Sequence, residues 1–389
     1  MTNRFSRLAV ASLVAIAASA SPVLGQSLAN RIASAGGRSV QFSYPTRPGV
    51  CGDGRTYIST GPGNFYGSFS TNTAEQCQAG PVRIVVVLAD RNVVALRTFV
   101  GAPSAAVDAG VANLGTVTAA DAADYLLGVA SRADGRVGRD AIFAALLGDN
   151  VDATSRLLEI GRDQNRPLET RRAALSGLGR SDAPQLDRIG AALVQIATNE
   201  GDVQDVRKQA LSVLSRLDHG AGIQPLIQLA SGNINTWIGQ ESMRVLSSSG
   251  DPRARQFLRS TAQRTDLPDE LQAVAIRGVG RNYVTGQDAA LLRSLYPRLT
   301  GERSRDAVLA SISGLGGTDN VQWLTGVVRD EKLTPEARRR ALEHLSRAGA
   351  TTPSLVAIWT SAAPILSSCG ASLRPRPESA ARRVSSGRF

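Results

Sequence analysis

The ten residues Asp205-Val206-Arg207-Lys208-Gln209-Ala210-Leu211-Ser212-Val213-Leu214 decide how this chain folds. Leu211 and Leu214 stand three apart, on one face of a helix. The Ala-apolar pair Ala210-Leu211 recurs along the chain. Its counterparts are Ala141-Ile142, Ala174-Leu175, Ser242-Met243, Ala275-Ile276, Val308-Leu309 and Ala341-Leu342. Taking the second residue as an anchor gives 142, 175, 211, 243, 276, 309 and 342, spaced by 33, 36, 32, 33, 33 and 33. Three past each anchor stand Ala145, Leu178, Leu214, Leu246, Val279, Ile312 and Leu345. Four past stand Leu146, Gly179, Ser215, Ser247, Gly280, Ser313 and Ser346, small in six copies. Chance does not hold such a register over this length, so the chain is a repeat array.

Each unit predicts two helices. The first ends near the small residue. The second carries an apolar residue fifteen past the anchor: Leu157, Leu226, Leu258, Leu291 and Leu324, with Leu193 joining if the longer second unit has a three-residue loop insertion. Asp251-Pro252, Thr334-Pro335 and Thr352-Pro353 each place a capping residue before a first-turn proline. Upstream, Val117 to Leu127 predicts one more helix that caps the array, with Thr118 and Asp121 placed as in a capping box. Hydrophobic content of 42% with aromatics at 4% describes a core of Leu, Ile, Val and Ala, which suits packed helices.

The stretch Asp205 to Leu214 resembles the short bacterial HEAT-like repeat, the kind also seen in phycobilisome lyases. Thr170-Arg171-Arg172-Ala173-Ala174-Leu175-Ser176-Gly177-Leu178-Gly179 is similar to it too. Gly239 and Gln272 depart from the pattern, which favours Arg there. The resemblance implies a mainly α fold, an α-solenoid of about seven two-helix HEAT-like repeats, preceded here by a small β-containing domain. Helix pairs of this kind bury their apolar faces only against neighbours, so they stack into a superhelix. The resemblance also implies a binding scaffold; a lyase-like enzyme is implied by the same resemblance and nothing else.

The N-terminus gives an address. Arg4 and Arg7 precede an apolar run from Leu8 to Ala18, followed by Ala18-Ser19-Ala20 and Val23-Leu24-Gly25. This is the pattern of a secretory signal peptide over residues 1–25, cleaved after Ala20 or Gly25. Gln26 stands where a lipoprotein needs Cys. No later apolar run has transmembrane length. The expectation is a periplasmic or secreted protein. Of three cysteines, Cys51 and Cys77 are the expected disulfide in that oxidising setting, worth ~3 kcal/mol less any strain; Cys369 is left over. The absence of CxxC and the distance of both histidines from these cysteines argue against a metal site, and no cofactor is expected.

The expected domains are 1–25 signal peptide; 26–103 small α+β domain; 104–137 connection and capping helix; 138–363 solenoid; 364–389 basic tail. Within the second of these, Ser39 to Tyr44, Arg55 to Thr60, Val82 to Leu88 and Val93 to Val100 read as strands, with a hairpin turn at Asp90-Arg91-Asn92 and a short helix at about Leu28 to Ala35. Gly61 to Gly67 is not a phosphate loop, because it lacks the glycine spacing and the lysine; Phe65 and Tyr66 there are candidates for partner contact. The net charge of +11 concentrates late: residues 351–389 hold 5 basic and 1 acidic residues, while 139–350 hold 28 and 25. The tail is expected to be disordered and able to touch an anionic envelope polymer.

Arginines recur with the repeat: Arg171, Arg207, Arg305 and Arg338 four before the anchor, and Arg180, Arg216, Arg281 and Arg347 five after it. The favoured reading is a structural ladder pairing with Asp or Glu of adjacent units, over a basic stripe for an anionic polymer. Nucleic acid is disfavoured by export. No HExxH, GxSxG or clustered Cys/His is present, and Asp218-His219 in a loop is a chance pair, so the expectation is a non-catalytic protein. Partner binding, to a protein or peptide, is expected on the exposed row of the second helices, lining the concave face: Glu159, Gln195, Gln228, Ser260, Arg293 and Gly326, with Trp323 in the neighbouring row. His344 occupies a position that is otherwise small or apolar (Ala144, Gly177, Val213, Val245, Gly278, Ser311), and is read as the mark of the last full unit, left open by the lack of later repeats.

Overall fold

The seven anchors are core residues of seven helices. Ile142, Leu175, Leu211, Met243, Ile276, Leu309 and Leu342 are all buried, as are all seven residues three positions later. The structure is a computed structural model that describes residues 26–54, 78–101, 110–133, 135–179, 185–232, 234, 236–281 and 285–348. The described part is mainly helical, with a small mixed sheet before the helices. The expected strand at Arg55 to Thr60, the signal, Phe65, Tyr66, Cys77, Arg180, the cap at Thr352 and the tail lie outside the described residues.

The chain divides into two units, residues 1–177 and 178–389. The first opens with α1 (Leu28–Ser34) and β1 (Ser39–Tyr44), as expected. β2 (Cys51–Gly52) pairs with β3 (Gln78–Ala79). β4 (Val82–Ala89) and β5 (Asn92–Val100) form the expected hairpin. Its loop is Asp90-Arg91, both at positive φ (49° and 64°), the backbone of a type I′ turn; Asn92 already belongs to the strand. β6 (Val111–Thr116) was not expected. It runs parallel to β1 and closes a sheet of order β5-β4-β1-β6. Its sequence, VANLGT, lacks alternation and contains Gly115 at φ 75°, so only its pairing with β1 defines it.

The capping helix follows as α2 (Ala119–Ala130), with Thr118 accepting from the Asp121 amide. Then come α3 (Gly135–Ala145), α4 (Thr154–Arg162) and α5 (Leu168–Leu178). Sheet and helices share one core. Phe42 meets the Tyr125 ring edge-on at 6.0 Å, and the buried Tyr44 hydroxyl donates to the Ala144 carbonyl at 2.6 Å. Burial pushes the Tyr44 phenol well above its ordinary pKa, which keeps it a donor.

The second unit contains α6 (Leu186–Thr198), α7 (Gln204–Leu214), α8 (Ile223–Gly232), α9 (Trp237–Ser247), α10 (Pro252–Ala262), α11 (Asp269–Val279), α12 (Gly286–Leu295), α13 (Glu302–Leu315), α14 (Thr318–Arg329) and α15 (Pro335–Arg347). Odd-numbered helices here are the first of each pair and pack side by side, α7 on α9 on α11 on α13 on α15. Asp251 and Thr334 cap α10 and α15 ahead of their prolines. Leu157, Leu193, Leu226, Leu258 and Leu324 are buried, so Leu193 takes the core place in the longer second unit, whose second helix, α6, has 13 residues. Leu291 is a correction: it is half-buried, and Leu292 takes the core position, because α12 is phased one residue later. The small residue four past the anchor ends four of the first helices, α5, α7, α9 and α11, but α13 and α15 run past Ser313 and Ser346. No helix among the described residues is long and apolar enough to cross a membrane.

Candidate interaction surface

The arginines four before the anchor are structural, and their Nε donors go to backbone carbonyls. Arg171 is the fourth residue of α5, and its Nε donates to the Gly161 carbonyl at 3.1 Å. Arg207, fourth in α7, donates to Ala197 at 2.9 Å. Arg338, fourth in α15, donates to Val328 at 2.7 Å. Each reaches ten residues back, to a carbonyl in the last turn of the preceding helix. That turn has carbonyls without intrahelical partners and carries the negative end of the helix dipole. A cation there satisfies both. Arg305, fourth in α13, donates only six residues back, to the Leu299 carbonyl at 2.8 Å, just after the 3-10 turn Tyr296–Arg298 that follows α12. Gln272, where the HEAT-like pattern favours Arg, fills the role by donating to Ala262 at 3.2 Å and Arg264 at 2.6 Å. For Arg207, Arg305 and Arg338 the expected pairing with Asp or Glu of adjacent repeats is therefore corrected: among the described residues they bond to carbonyls. Carboxylate pairs between units do occur, through Arg139–Glu169, Arg303–Glu270 and Arg340–Glu302. Of the arginines five past the anchor, Arg216, Arg281 and Arg347 are exposed.

Two aspartates staple neighbouring repeats of the second unit. Asp269, first in α11, accepts from the Arg303 and Ser304 amides at 2.9 and 2.8 Å and from the Ser304 hydroxyl, so it caps the N-terminus of α13 in the next repeat. Asp288 is fully buried, completes a capping box with Thr285 at the start of α12, and accepts from Arg259 of α10 at 2.6 Å. Burial pushes both carboxyls up, but the hydrogen bonds outweigh it and hold both below the ordinary value.

These contacts use side chains of the first helices and of the joints, and leave the row on the second helices facing solvent. Gln195, Gln228, Ser260 and Gly326 are exposed on α6, α8, α10 and α14; Arg293 on α12 is half-buried. In the first unit Glu159 is exposed on α4, 3.7 Å from Arg156. Trp323 is half-buried and packs edge-on against Tyr296 at 5.5 Å between centroids. The Tyr296 hydroxyl is buried without a partner among the described residues, and burial raises its pKa. No signal in the sequence marks that ring pair, since Trp323 and Tyr296 lie in different repeats.

Where the row of second helices ends, a cleft of about 190 Å³ opens between the loop after α10 and the loop after α12. Leu267, Leu295 and Leu299 form its apolar lining, with Gln263, Thr265, Thr300 and Arg298 around them. Asp269, Gln272 and Gly301 complete it.

His219 is exposed at φ 55° in the loop after α7. His344 overturns its expectation: it is buried, 2.9 Å from Asp306 of α13, and its backbone carbonyl accepts from Ser313. It is a joint to the previous repeat, not an open end. No group of three or more potential metal ligands exists among the described residues.

Paired helices at this period, joined by terminal caps, define a repeat-scaffold class. Residues 190–280 match the family described as HEAT repeats. No curated protein matches the sequence. Among solved structures, human deoxyhypusine hydroxylase in complex with glycerol is 15% identical, over 62% of this chain and 89% of that one, with a TM-score of 0.28. A homology model of the full-length AP-3 complex in an intermediate open conformation is 15% identical, over 66% of this chain and 57% of that one, with a TM-score of 0.31. HEAT repeats are in general protein-interaction scaffolds and non-catalytic.

Proposed function

We propose that this protein is an exported, non-catalytic scaffold that binds a protein or peptide along the exposed row of its second helices. One observation carries the reading. Arg171, Arg207 and Arg338 are committed to helix ends, whereas Gln195, Gln228 and Ser260 recur on successive second helices with their residues exposed, which supports a solvent-facing row with a repeat period. Export rests on the N-terminal pattern Arg4 to Gly25. The Cys51–Cys77 pairing is supported by β2, which begins at Cys51, and β3, which begins one residue after Cys77.

The test is crosslinking of the purified chain in extract of its own source, with Gln228→Lys/Ser260→Lys beside wild type and Arg281→Ala as control. Loss of the captured partner in the double variant alone supports the row. Equal capture by all three sinks it. Export is checked by the N-terminal residue of the protein recovered from the cell envelope: Ser21 or Gln26 is expected, and an intact Met1 refutes it.

A further inference from the structure

We infer that the cleft at the end of α10 and α12 receives the C-terminal residue of a peptide, with its carboxylate on Arg298 and an apolar side chain on Leu267, Leu295 and Leu299. The inference rests on the peptide-binding reading above and names the partner's chemistry.

Size comes first. At about 190 Å³ the cleft holds roughly six waters at ~30 Å³ each, the room of one amino-acid residue. Composition comes second. Leu267 is half-buried and presents apolar atoms to the cleft, at a cost that an apolar side chain would remove, and Leu295 and Leu299 lie buried beneath it. Thr265 and Thr300 are exposed at its mouth and supply hydroxyls that donate or accept.

Charge decides the rest. The cations around the cleft are committed: Arg259 to Asp288, Arg264 to Asp266, Arg303 to Glu270, and Arg305 to the Leu299 carbonyl. Arg298 lines the cleft and has no ion-pair or hydrogen-bond partner among the described residues. Asp269 is the one carboxylate in the lining, and it faces the first amides of α13, where the helix dipole offsets its charge. The cleft therefore offers one available guanidinium beside an apolar floor. A carboxylate and an apolar side chain on the same carbon skeleton match that pair, and the last residue of a chain carries both. A guanidinium also holds a carboxylate with two parallel hydrogen bonds, which fixes direction. An internal Asp or Glu would bring the carboxylate without the apolar group.

The experiment uses fluorescein-labelled hexapeptides, randomised at five positions and ending in Leu, each made as free carboxylate and as carboxamide. Anisotropy with the full chain should show the carboxylate pool binding roughly tenfold tighter than the amide pool. Arg298→Gln should remove that difference, and Thr300→Trp should weaken both pools by filling the cleft. Arg281→Gln, an exposed arginine elsewhere, should change nothing. Equal binding of acid and amide, retention of the difference in Arg298→Gln, or no binding of either pool overturns the proposal. The row of second helices is judged separately by the crosslinking variants: peptide selectivity lost with capture intact rejects the cleft alone, and capture unaffected by Gln228→Lys/Ser260→Lys rejects the row alone.

Discussion

Arg338 reaches back from the first turn of α15 to a buried carbonyl at the end of α14, and its own side chain is buried. Arg338→Met keeps most of the aliphatic stem but removes the donor, leaving the Val328 carbonyl unpaired. The expected cost is about 1–3 kcal/mol in urea unfolding. Arg338→Gln should recover part of it, because Gln272 already does this work in another repeat. Arg347→Gln, exposed on the same helix, should stay within about 0.5 kcal/mol. If Arg338→Met is as mild as Arg347→Gln, the ladder has no structural weight. The hairpin loop gives the opposite sign. Arg91 sits at φ 64° where glycine is at ease, so Arg91→Gly should raise stability by up to about 1 kcal/mol, read as a higher midpoint of thermal unfolding.

Between elements, the joint of α11 and α13 is the sharpest case. A Cβ on Gly301 would run into the Asp269 carboxylate that caps α13. Gly301→Ala is expected to cost about 1–3 kcal/mol, since a packed neighbour must move. In an Asp269→Ala background the same substitution should cost much less, and a double-mutant cycle measures that coupling. Additive costs would mean the two residues do not share space. This joint was invisible in the sequence, where Asp269 and Gly301 stand 32 positions apart in different repeats. Apolar period was the legible part. It located all seven first helices and the core place of Leu193, because burial imposes the same residue types in every copy. The period places α12 one residue early, at Leu291 instead of Leu292, since a loop can gain or lose a residue without disturbing either helix. It missed β6 for the opposite reason: that strand owes its existence to β1, not to its own pattern. The arginine register is legible as structural, but its partners are not. Side chain spacing says where a cation recurs; it does not say that a backbone carbonyl ten residues upstream is waiting for it.

Across the second unit, the same chemistry sets how the protein responds to acid. Repeats touch only their neighbours, so its stability is the sum of such joints. Several joints and caps use ionised carboxyls. The Arg253 hydrogen bond holds Asp251 low, and Asp269 and Asp288 stay low because their hydrogen bonds outweigh burial. Arg339, then Arg340, bring Glu336 down to about 2. Each folded pKa lies below the unfolded one, so each contribution is complete above about pH 4.3, the unfolded carboxyl range, and is lost as pH falls toward the folded value. Urea midpoints should therefore be flat from pH 7 to about 5 and fall steeply below about 4. Asp288 is the most buried of the four and should contribute most. Asp288→Asn keeps the size but not the charge, and it should lower stability at pH 7 and flatten the decline below pH 4. A decline of unchanged steepness in that variant would place the acid sensitivity elsewhere. The exposed Glu336 provides the contrast, because solvent screens its pairs with Arg339 and Arg340: Glu336→Gln should leave the acid limb almost unaltered in moderate salt.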